Sequence, residues 1–208
     1  MTEPGRAKES RPAPVPESRR AETVSTPISA VLDASVLFPA AVRDTLLRAA
    51  QKRLYRAYFT EEILEEVRRN LLKKGKIVDP AHAEQLMFQI RRAFPASMVE
   101  DYAALIPSMT NHPKDRHVLA AAVAVRARVV TFNLADFPEH AAAPHRVVVQ
   151  TPDDFLIGLH TADSRTMIAV LQEQSEALRC PPMTVHEILD KLSRQQVPKF
   201  AELMRRHF

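Results

Sequence analysis

Apolar residues come in short runs that predict the strands of a buried sheet. The first run, Ile28-Ser-Ala-Val-Leu32, is interrupted by Asp33 and resumes at Val36-Leu-Phe38. Runs of about four to eight apolar residues are typical of strands that are buried on both faces, as in a parallel sheet. Further strands are predicted over residues 55–59, 128–132 and 146–150.

Apolar residues at helical spacing separate these runs. They predict helices over residues 46–54 and 63–71, and further helices are expected over residues 80–94, 99–106 and 114–126. Strands that alternate with helices imply right-handed βαβ units. We therefore expect an α/β fold of three layers (α/β/α) around a central parallel sheet, extending over residues 28–155.

Both ends of the chain depart from this alternation. Residues 1–27 hold five of the 16 prolines and almost no large apolar side chains, which predicts a disordered tail. Residues 156–208 are expected to form a helical C-terminal extension, with helices over 165–178, 184–194 and 199–207. These helices carry apolar rows that need cover from the rest of the chain or from a partner. We expect cover from the chain itself, because no long polar linker precedes residue 165.

The composition argues against membrane-spanning, secreted and glycine-loop nucleotide-binding proteins. The chain has 208 residues, and none of its apolar stretches approaches the roughly 20 residues of a membrane-spanning helix. The N-terminus lacks the apolar run of a secretory signal, and the single Cys180 excludes an internal disulfide, so we expect a cytoplasmic protein with no membrane contact. With only three glycines, neither a P-loop nor a dinucleotide-binding fingerprint can be written.

The modest net charge of +4 is unevenly distributed. Residues 43–92 contain twelve Lys and Arg against seven Asp and Glu, an excess of +5. This segment could present a basic face to a polyanion, or it could be an ordinary solvated helical surface. Residues 151–208 are nearly neutral, which favours packing or partner contact over nucleic-acid binding for the extension.

Asp33 stands out because it follows directly on the first apolar strand. An unpaired carboxylate there would cost several kcal/mol in desolvation, so its surroundings must supply a cation, hydrogen bonds or a proton. Open α/β sheets bind ligands at the carboxyl ends of their strands. The alternative is structural: Asp33 and Ser35 could only cap the next helix or close a turn.

Three further acids fit the same edge of the sheet. Asp115 opens a helix on the stripe of Leu119 and Ala122, and Asp136 follows the strand over 128–132 together with Asn133. Glu66 lies on the shoulder of its helix's apolar arc. Each acid also has a structural alternative: a first-turn acid for Asp115, an Asx turn after the strand, and a solvated helical acid for Glu66.

Four segments together resemble the successive motifs of PIN domains: VLDASVL at 31–37, TEEILEEVRRNL at 60–71, HPKDRHVLAAA at 112–122 and VTFNLADF at 130–137. The resemblance covers about residues 28–155. It is closest to bacterial VapC-like toxins, including a subset with a helical C-terminal extension. It implies a PIN-like fold and a metal-dependent endoribonuclease, the toxin of a toxin–antitoxin pair, with RNA as substrate, a protein antitoxin as partner and a homodimeric assembly.

The family's acidic site residues correspond here to Asp33, Glu66, Asp115 and Asp136. The resemblance implies that they hold Mg²⁺ or Mn²⁺, with Ser35, Thr131 and Asn133 as auxiliary polar groups. Many relatives have a further Asp where this chain has Asn133. Two carboxylates about 5 Å apart repel by roughly 3 kcal/mol at an effective dielectric of about 20, so a hard divalent cation is their natural counter-charge. Lys114 or Arg116 is expected to grip the RNA phosphate.

Other classes of function fit less well. A haloacid-dehalogenase-type phosphatase would need a second carboxylate two residues after Asp33, where this chain has Ser35. Zinc chemistry is disfavoured because the eight histidines form no HExxH motif and no close Cys/His set. The main alternative is a non-catalytic PIN-like scaffold that binds RNA or protein.

Overall fold

A central sheet of four parallel strands organises the chain. The computed structural model describes residues 28–208, so the predicted tail over residues 1–27 lies outside the described residues. The strands are β1 (Ser29–Leu32), β2 (Arg56–Tyr58), β3 (Arg128–Val130) and β4 (Val149–Gln150), in the order β2-β1-β3-β4. In β1, Val31 pairs with Tyr58 on one side and Val129 on the other, and Ala30, Val31 and Leu32 are fully buried.

Helices separate and follow these strands. They are α1 (Ala34–Leu37), α2 (Ala40–Gln51), α3 (Glu61–Lys73), α4 (Pro80–Ala93), α5 (Arg116–Ala124), α6 (Glu139–Ala142), α7 (Pro152–Ala162), α8 (Ser164–Ala177), α9 (Val185–Arg194) and α10 (Pro198–Arg205). The predicted α/β class, with a parallel sheet and C-terminal helices, is confirmed.

The strand order places a ligand-binding crevice between β1 and β3. From β1 the chain moves to β2 on one side, and from β2 it returns past β1 to β3 on the other. Right-handed crossovers therefore put α2 and α5 on opposite faces of the sheet. The connections that leave β1 and β3 diverge to these two faces, and such a switch point is where open α/β sheets bind ligands.

Several predicted elements differ from the structure. Residues 36–38 do not continue a strand, because Asp33 accepts a hydrogen bond from the Ser35 backbone N–H and caps the short helix α1. The helix expected over 99–106 is instead a 3₁₀ segment, Ala103–Ser108. Pro107 explains this difference, since a proline disfavours the α conformation in the residue before it.

Helix α7 was not predicted. Thr151 caps it by accepting the Asp154 backbone N–H at 3.1 Å, and Pro152 stands at its first position, where a missing N–H costs nothing. The helix crosses the boundary that we expected between residues 155 and 156. That boundary stays a proposal, and the helical region itself begins at Pro152.

The C-terminal helices pack against the α/β part of the chain, as expected. Met167, Val170 and Leu171 of α8 are fully buried within the same core as the sheet. A buried hydrogen bond from Thr45 Oγ1 to Gln174 Oε1, 2.7 Å long, joins α2 to α8. No helix between residues 28 and 208 is long and apolar enough to cross a membrane.

Candidate active site

The carboxylate of Asp33 is held at the carboxyl ends of β1 and β3. The hydroxyls of Ser35 and Thr131 both donate to its Oδ2, at 2.5 and 2.7 Å, and its backbone N–H donates to the Val130 carbonyl at 3.1 Å. Within residues 28–208 no hydrogen bond reaches Oδ1. Asp33 does cap α1, as the structural alternative proposed, but its second oxygen stays available to a ligand.

The two hydroxyls are themselves fixed by the backbone after β3. Ser35 Oγ accepts the Phe132 N–H at 3.1 Å, and Thr131 Oγ1 accepts the Asn133 N–H at 3.0 Å. Each hydroxyl thus donates its proton to Asp33 and accepts a backbone N–H from the loop that follows β3. Ser35 and Thr131 therefore position Asp33 and tie the ends of the two central strands together.

Asp115 is a buried acid with little local compensation. It is the N-cap residue of α5, but its side chain makes no capping hydrogen bond, and only 6% of the residue's surface is exposed. Burial raises the pKa of this carboxyl, and the negative charges of Asp33 and Asp136 raise it further. The predicted inward stripe is confirmed, because Leu119 and Ala122 are also fully buried.

Asp136 approaches Asp115 from the loop that follows β3. It ends a 3₁₀ turn, Leu134–Asp136, and its carbonyl accepts the His112 backbone N–H at 3.2 Å. One ligand atom from each of His112, Asp115 and Asp136 lies within 4.8 Å of the others. Asn133 makes no side-chain cap to this turn, so the alternative of an Asx turn does not apply.

His112 was missed by the sequence reasoning. Its Nδ1 lies 3.4 Å from Asp115 Oδ2, and the imidazole is more than half exposed. The residue stands three positions before Asp115 in the HPKD motif, so the spacing was visible in the sequence. The pattern of isolated acids gave no reason to include a histidine.

Glu66 separates from the other acids of α3 as the helical arc predicted. Its side chain is 13% exposed, and Lys114 Nζ lies 3.3 Å from its Oε1. The neighbouring acids instead have other partners: Glu61 binds Arg91, Glu62 accepts from the Tyr102 hydroxyl, and Glu65 binds Arg68. Glu66 alone of these four lines the cavity described next.

A cleft of about 840 Å³ brings most of these groups together. It is lined by the carboxylates of Asp33, Glu66 and Asp115. Its polar and basic lining residues are Ser35, Asn70, Asn133, Arg43, Lys74, Lys76, Lys114, Arg194, Gln195 and Gln196. Acids thus share one cavity with five cationic side chains.

Some predicted residues lie outside the lining of this cleft. Asp136 is not part of it, and Thr131 is buried beneath Asp33. Arg116 is also outside, because its Nε donates to the Asn111 carbonyl at 3.3 Å. Of the two expected phosphate-binding cations, only Lys114 lines the cleft.

The donor set fits a hard divalent cation. Asp33, Glu66, Asp115 and Asp136 offer carboxylate oxygens, which Mg²⁺ and Mn²⁺ prefer. Burial raises the pKa of the Asp115 carboxyl, and the charges of Asp33, Asp136 and Glu66 raise it further, so a positive charge beside Asp115 would be favourable. A bound cation would supply positive charge, and His112 adds one nitrogen donor beside Asp115 and Asp136.

Comparisons with known proteins agree with the resemblance carried by the motifs. Residues 152–206 match the family described as "VapC50 C-terminal domain". A Mycobacterium tuberculosis (strain ATCC 25618 / H37Rv) protein named "Putative ribonuclease VapC50" is 46% identical over 108 residues, which cover 51% of this chain. The match spans 63% of that relative's length. No solved structure matches the chain. The resemblance to VapC-like PIN proteins with a helical C-terminal extension is thereby confirmed.

Proposed function

We propose that this VapC-like chain is a divalent-cation-dependent endoribonuclease that hydrolyses RNA phosphodiester bonds, and that it is the toxin of a toxin–antitoxin pair. The observation that carries the proposal is the cleft whose lining combines Asp33, Glu66 and Asp115, from separate elements, with five cationic side chains. The name of the Mycobacterium tuberculosis relative supports the same activity.

Each acid has a role that follows from its surroundings. Asp33, Glu66, Asp115 and Asp136 would hold Mg²⁺ or Mn²⁺, and Asp33 would do so through the oxygen that Ser35 and Thr131 leave open. When bound, a divalent cation supplies positive charge at the attacked phosphate and lowers the pKa of nearby water.

The remaining polar groups of the cleft would bind and orient RNA. Lys114 stands 3.3 Å from Glu66, and this position beside the acids suits a phosphate of the bound strand. The exposed Asn133 carboxamide can orient a ribose hydroxyl or a water beside Asp33. Arg116 has no part in this proposal, because it does not line the cleft.

Partners and location follow from the same proposal. A VapC-type toxin would have a protein antitoxin, would work in the cytoplasm and would form a homodimer. The apolar cavity between α2, α4 and the extension has a volume of about 680 Å³. The lining of this cavity is a surface to which the antitoxin or the second subunit of the homodimer would bind.

Cleavage of total RNA by the full chain tests the proposal. We expect cleavage with Mg²⁺ or Mn²⁺ and none with a chelator. Asp33→Asn should abolish cleavage without loss of fold, because an amide cannot replace the charge that attracts the cation. An Asp33→Asn chain that cleaves as the parent does would contradict the assignment.

The two neighbouring glutamates of α3 provide a matched pair. Glu66→Gln should lose activity, whereas Glu65→Gln should keep it, because Glu65 is exposed and binds only Arg68. The reverse order would show that α3 presents another face to the substrate. A parent chain that binds RNA but never cleaves it would favour the scaffold alternative.

A further inference from the structure

Three consecutive residues of the C-terminal extension line the same cleft as the acids. Arg194 is the last residue of α9, and Gln195 and Gln196 begin the turn into α10. We propose that residues 194–196, here called the α9–α10 corner, contact bound RNA and help to select it. This inference rests on the ribonuclease function proposed above. It revises the expectation, based on the neutral charge of the extension, that this region avoids nucleic acid.

The backbone of the corner is fixed by hydrogen bonds and burial. The Gln195 N–H donates to the carbonyls of Lys191 and Leu192 at 2.9 and 3.0 Å, and the Val197 N–H donates to Leu192 at 3.0 Å. Gln196 has a φ of 65°, a left-handed conformation that non-glycine residues adopt only when their surroundings impose it. Leu192 and Val197, on either side, are fully buried.

The start of α10 is anchored to the rest of the extension. Asp153 of α7 is buried and accepts the backbone N–H groups of Lys199 and Phe200 at 3.2 and 2.8 Å. The corner is therefore held on both sides, by the end of α9 and by this anchor. A ligand that binds a fixed corner does not have to order it first, which favours affinity.

Two side chains of the corner, those of Arg194 and Gln196, are exposed to a polar ligand. Arg194 is exposed, its Nε donates to the Asp190 carbonyl at 3.2 Å, and it is in no salt bridge within residues 28–208. The Gln195 Oε1 atom is buried and has no hydrogen-bond partner among the described residues. A guanidinium suits a phosphate, and a carboxamide can both donate to and accept from an unpaired base or a ribose hydroxyl.

Arg194 is one of five cationic residues that line the cleft. Among the described residues, Arg43, Lys74 and Lys76 also line it without a salt bridge to a carboxylate, while Lys114 is paired with Glu66. Arg43 instead donates to the Leu37 and Phe38 carbonyls. Cations that are not paired with a carboxylate attract a polyanion, and the glutamines beside Arg194 add groups that can distinguish one RNA from another.

The corner also stands between two cavities. Ala40, Arg43, Arg194 and Gln195 line both the acid cleft and the neighbouring apolar cavity of about 680 Å³. These four residues therefore form a border between the two concave surfaces. An RNA strand that leaves the acids toward this border meets residues that include Arg194 and Gln195.

Binding of a fluorescent unstructured RNA oligonucleotide by the cleavage-deficient Asp33→Asn chain tests the inference. Adding Arg194→Ala should weaken binding by about tenfold and should lower the slope of log K against log salt by about 0.7. Adding Gln196→Ala should weaken binding without changing that slope, because an amide releases no counterion. Arg206→Ala is the matched control, since Arg206 is exposed in the same extension and lines neither cavity.

The outcomes separate this inference from the function on which it rests. If the parent chain neither cleaves nor binds RNA, the proposed function is wrong, and this inference falls with it. If RNA is cleaved and bound, but Arg194→Ala and Gln196→Ala behave like Arg206→Ala, only the role of the corner is wrong. Loss of antitoxin binding with unchanged RNA binding would likewise overturn it, because the corner would then be a protein contact.

Discussion

Asp115 in the acid cleft and Asp153 in the C-terminal extension are both almost completely buried, with 6% and 5% of their surfaces exposed. Asp153 accepts two backbone N–H groups from the start of α10, so its charge is stabilised within the chain. Within residues 28–208, Asp115 accepts no hydrogen bond from a backbone N–H; the exposed His112 imidazole lies 3.4 Å away, and burial, followed by the charges of other acids, raises the pKa of its carboxyl.

The contrast separates a structural acid from a functional one. A buried carboxylate that serves the fold is satisfied by donors of the same fold. A buried carboxylate that serves a ligand is left incomplete, and the ligand completes it. The extension shows the first arrangement at Asp153, and the buried Thr45–Gln174 hydrogen bond to α2 likewise satisfies polar groups within the chain.

The largest effect is expected from removing the extension. Truncation after Gln150 deletes α7–α10 and opens the core that buries Met167, Val170 and Leu171. The deleted segment contains twelve buried large apolar side chains, and each contributes about 1.5–3 kcal/mol by burial, so the loss exceeds the roughly 5–15 kcal/mol stability of a typical domain. We expect light scattering to show aggregation. A monodisperse truncated chain that still cleaves RNA would contradict the packing described here.

A pair of substitutions at the two buried aspartates should have opposite effects. Asp153→Ala leaves the buried Phe200 N–H and the partly buried Lys199 N–H without acceptors and should lower the free energy of unfolding by about 2–3 kcal/mol. Asp115→Asn should keep or raise the stability of the metal-free chain, because it removes a charge that other acids oppose. Chemical denaturation of both variants without metal is the measurement.

RNA cleavage also distinguishes the variants at Asp115 and Asp153. Asp115→Asn should abolish RNA cleavage although the chain stays folded, whereas folded Asp153→Ala should retain cleavage at low temperature. If Asp115→Asn destabilised the metal-free chain as much as Asp153→Ala does, both aspartates would be structural. The distinction drawn between the two regions would then be wrong.

The positions of the four acids and of two C-terminal helices could be predicted from the sequence. The four acids could be found because a carboxylate within or beside an apolar pattern needs a special explanation. The strand positions of Asp33 and Asp136 and the helical arc around Glu66 then brought them to one edge of the sheet. The helices over 165–178 and 184–194 were also predicted almost to their ends, because their apolar spacing is regular.

The contacts of the extension could not be predicted in the same way. Net charge over residues 151–208 averages all side chains, so it does not show that Arg194, Gln195 and Gln196 face the cleft. The turn that places them depends on a left-handed glutamine and on a long-range anchor at Asp153. Neither feature leaves a local signal, because glutamine has no preference for positive φ and the anchor joins residues far apart in sequence.

Metal binding should stabilise the acid region. At a hundredfold excess over its dissociation constant, Mg²⁺ should raise the free energy of unfolding by about 2.7 kcal/mol. Asp115→Asn should remove most of this gain. His112→Ala should leave the gain from Mg²⁺ unchanged but reduce the gain from Ni²⁺, because imidazole suits the later first-row ions. If calorimetry showed the same melting temperature with and without divalent cations, the non-catalytic scaffold alternative would be favoured.

The smallest effect is expected at the far end of the extension, where two histidines join α7 to the residues after α10. His160 and His207 place their Nε2 atoms 3.0 Å apart, so one ring donates to the other only while at least one is neutral. Burial lowers the pKa of His160, and the neighbouring His207 lowers it further. The unfolded chain thus binds the proton more readily than the folded chain.

The sign of the pH dependence follows from that lowered pKa. The contribution of the pair is fully present above the ordinary histidine pKa of about 6.5 and is lost as the pH falls below it. Because the pair is largely exposed, the melting temperature should drop by only about 1–2 °C more than in His207→Ala, which lacks the second imidazole. Melting curves of both chains between pH 8 and pH 5 make the comparison, since the other titrating groups are common to both. Parallel curves would show that the contact between His160 and His207 does not contribute to stability, and a steeper fall in His207→Ala would reverse the sign argued here.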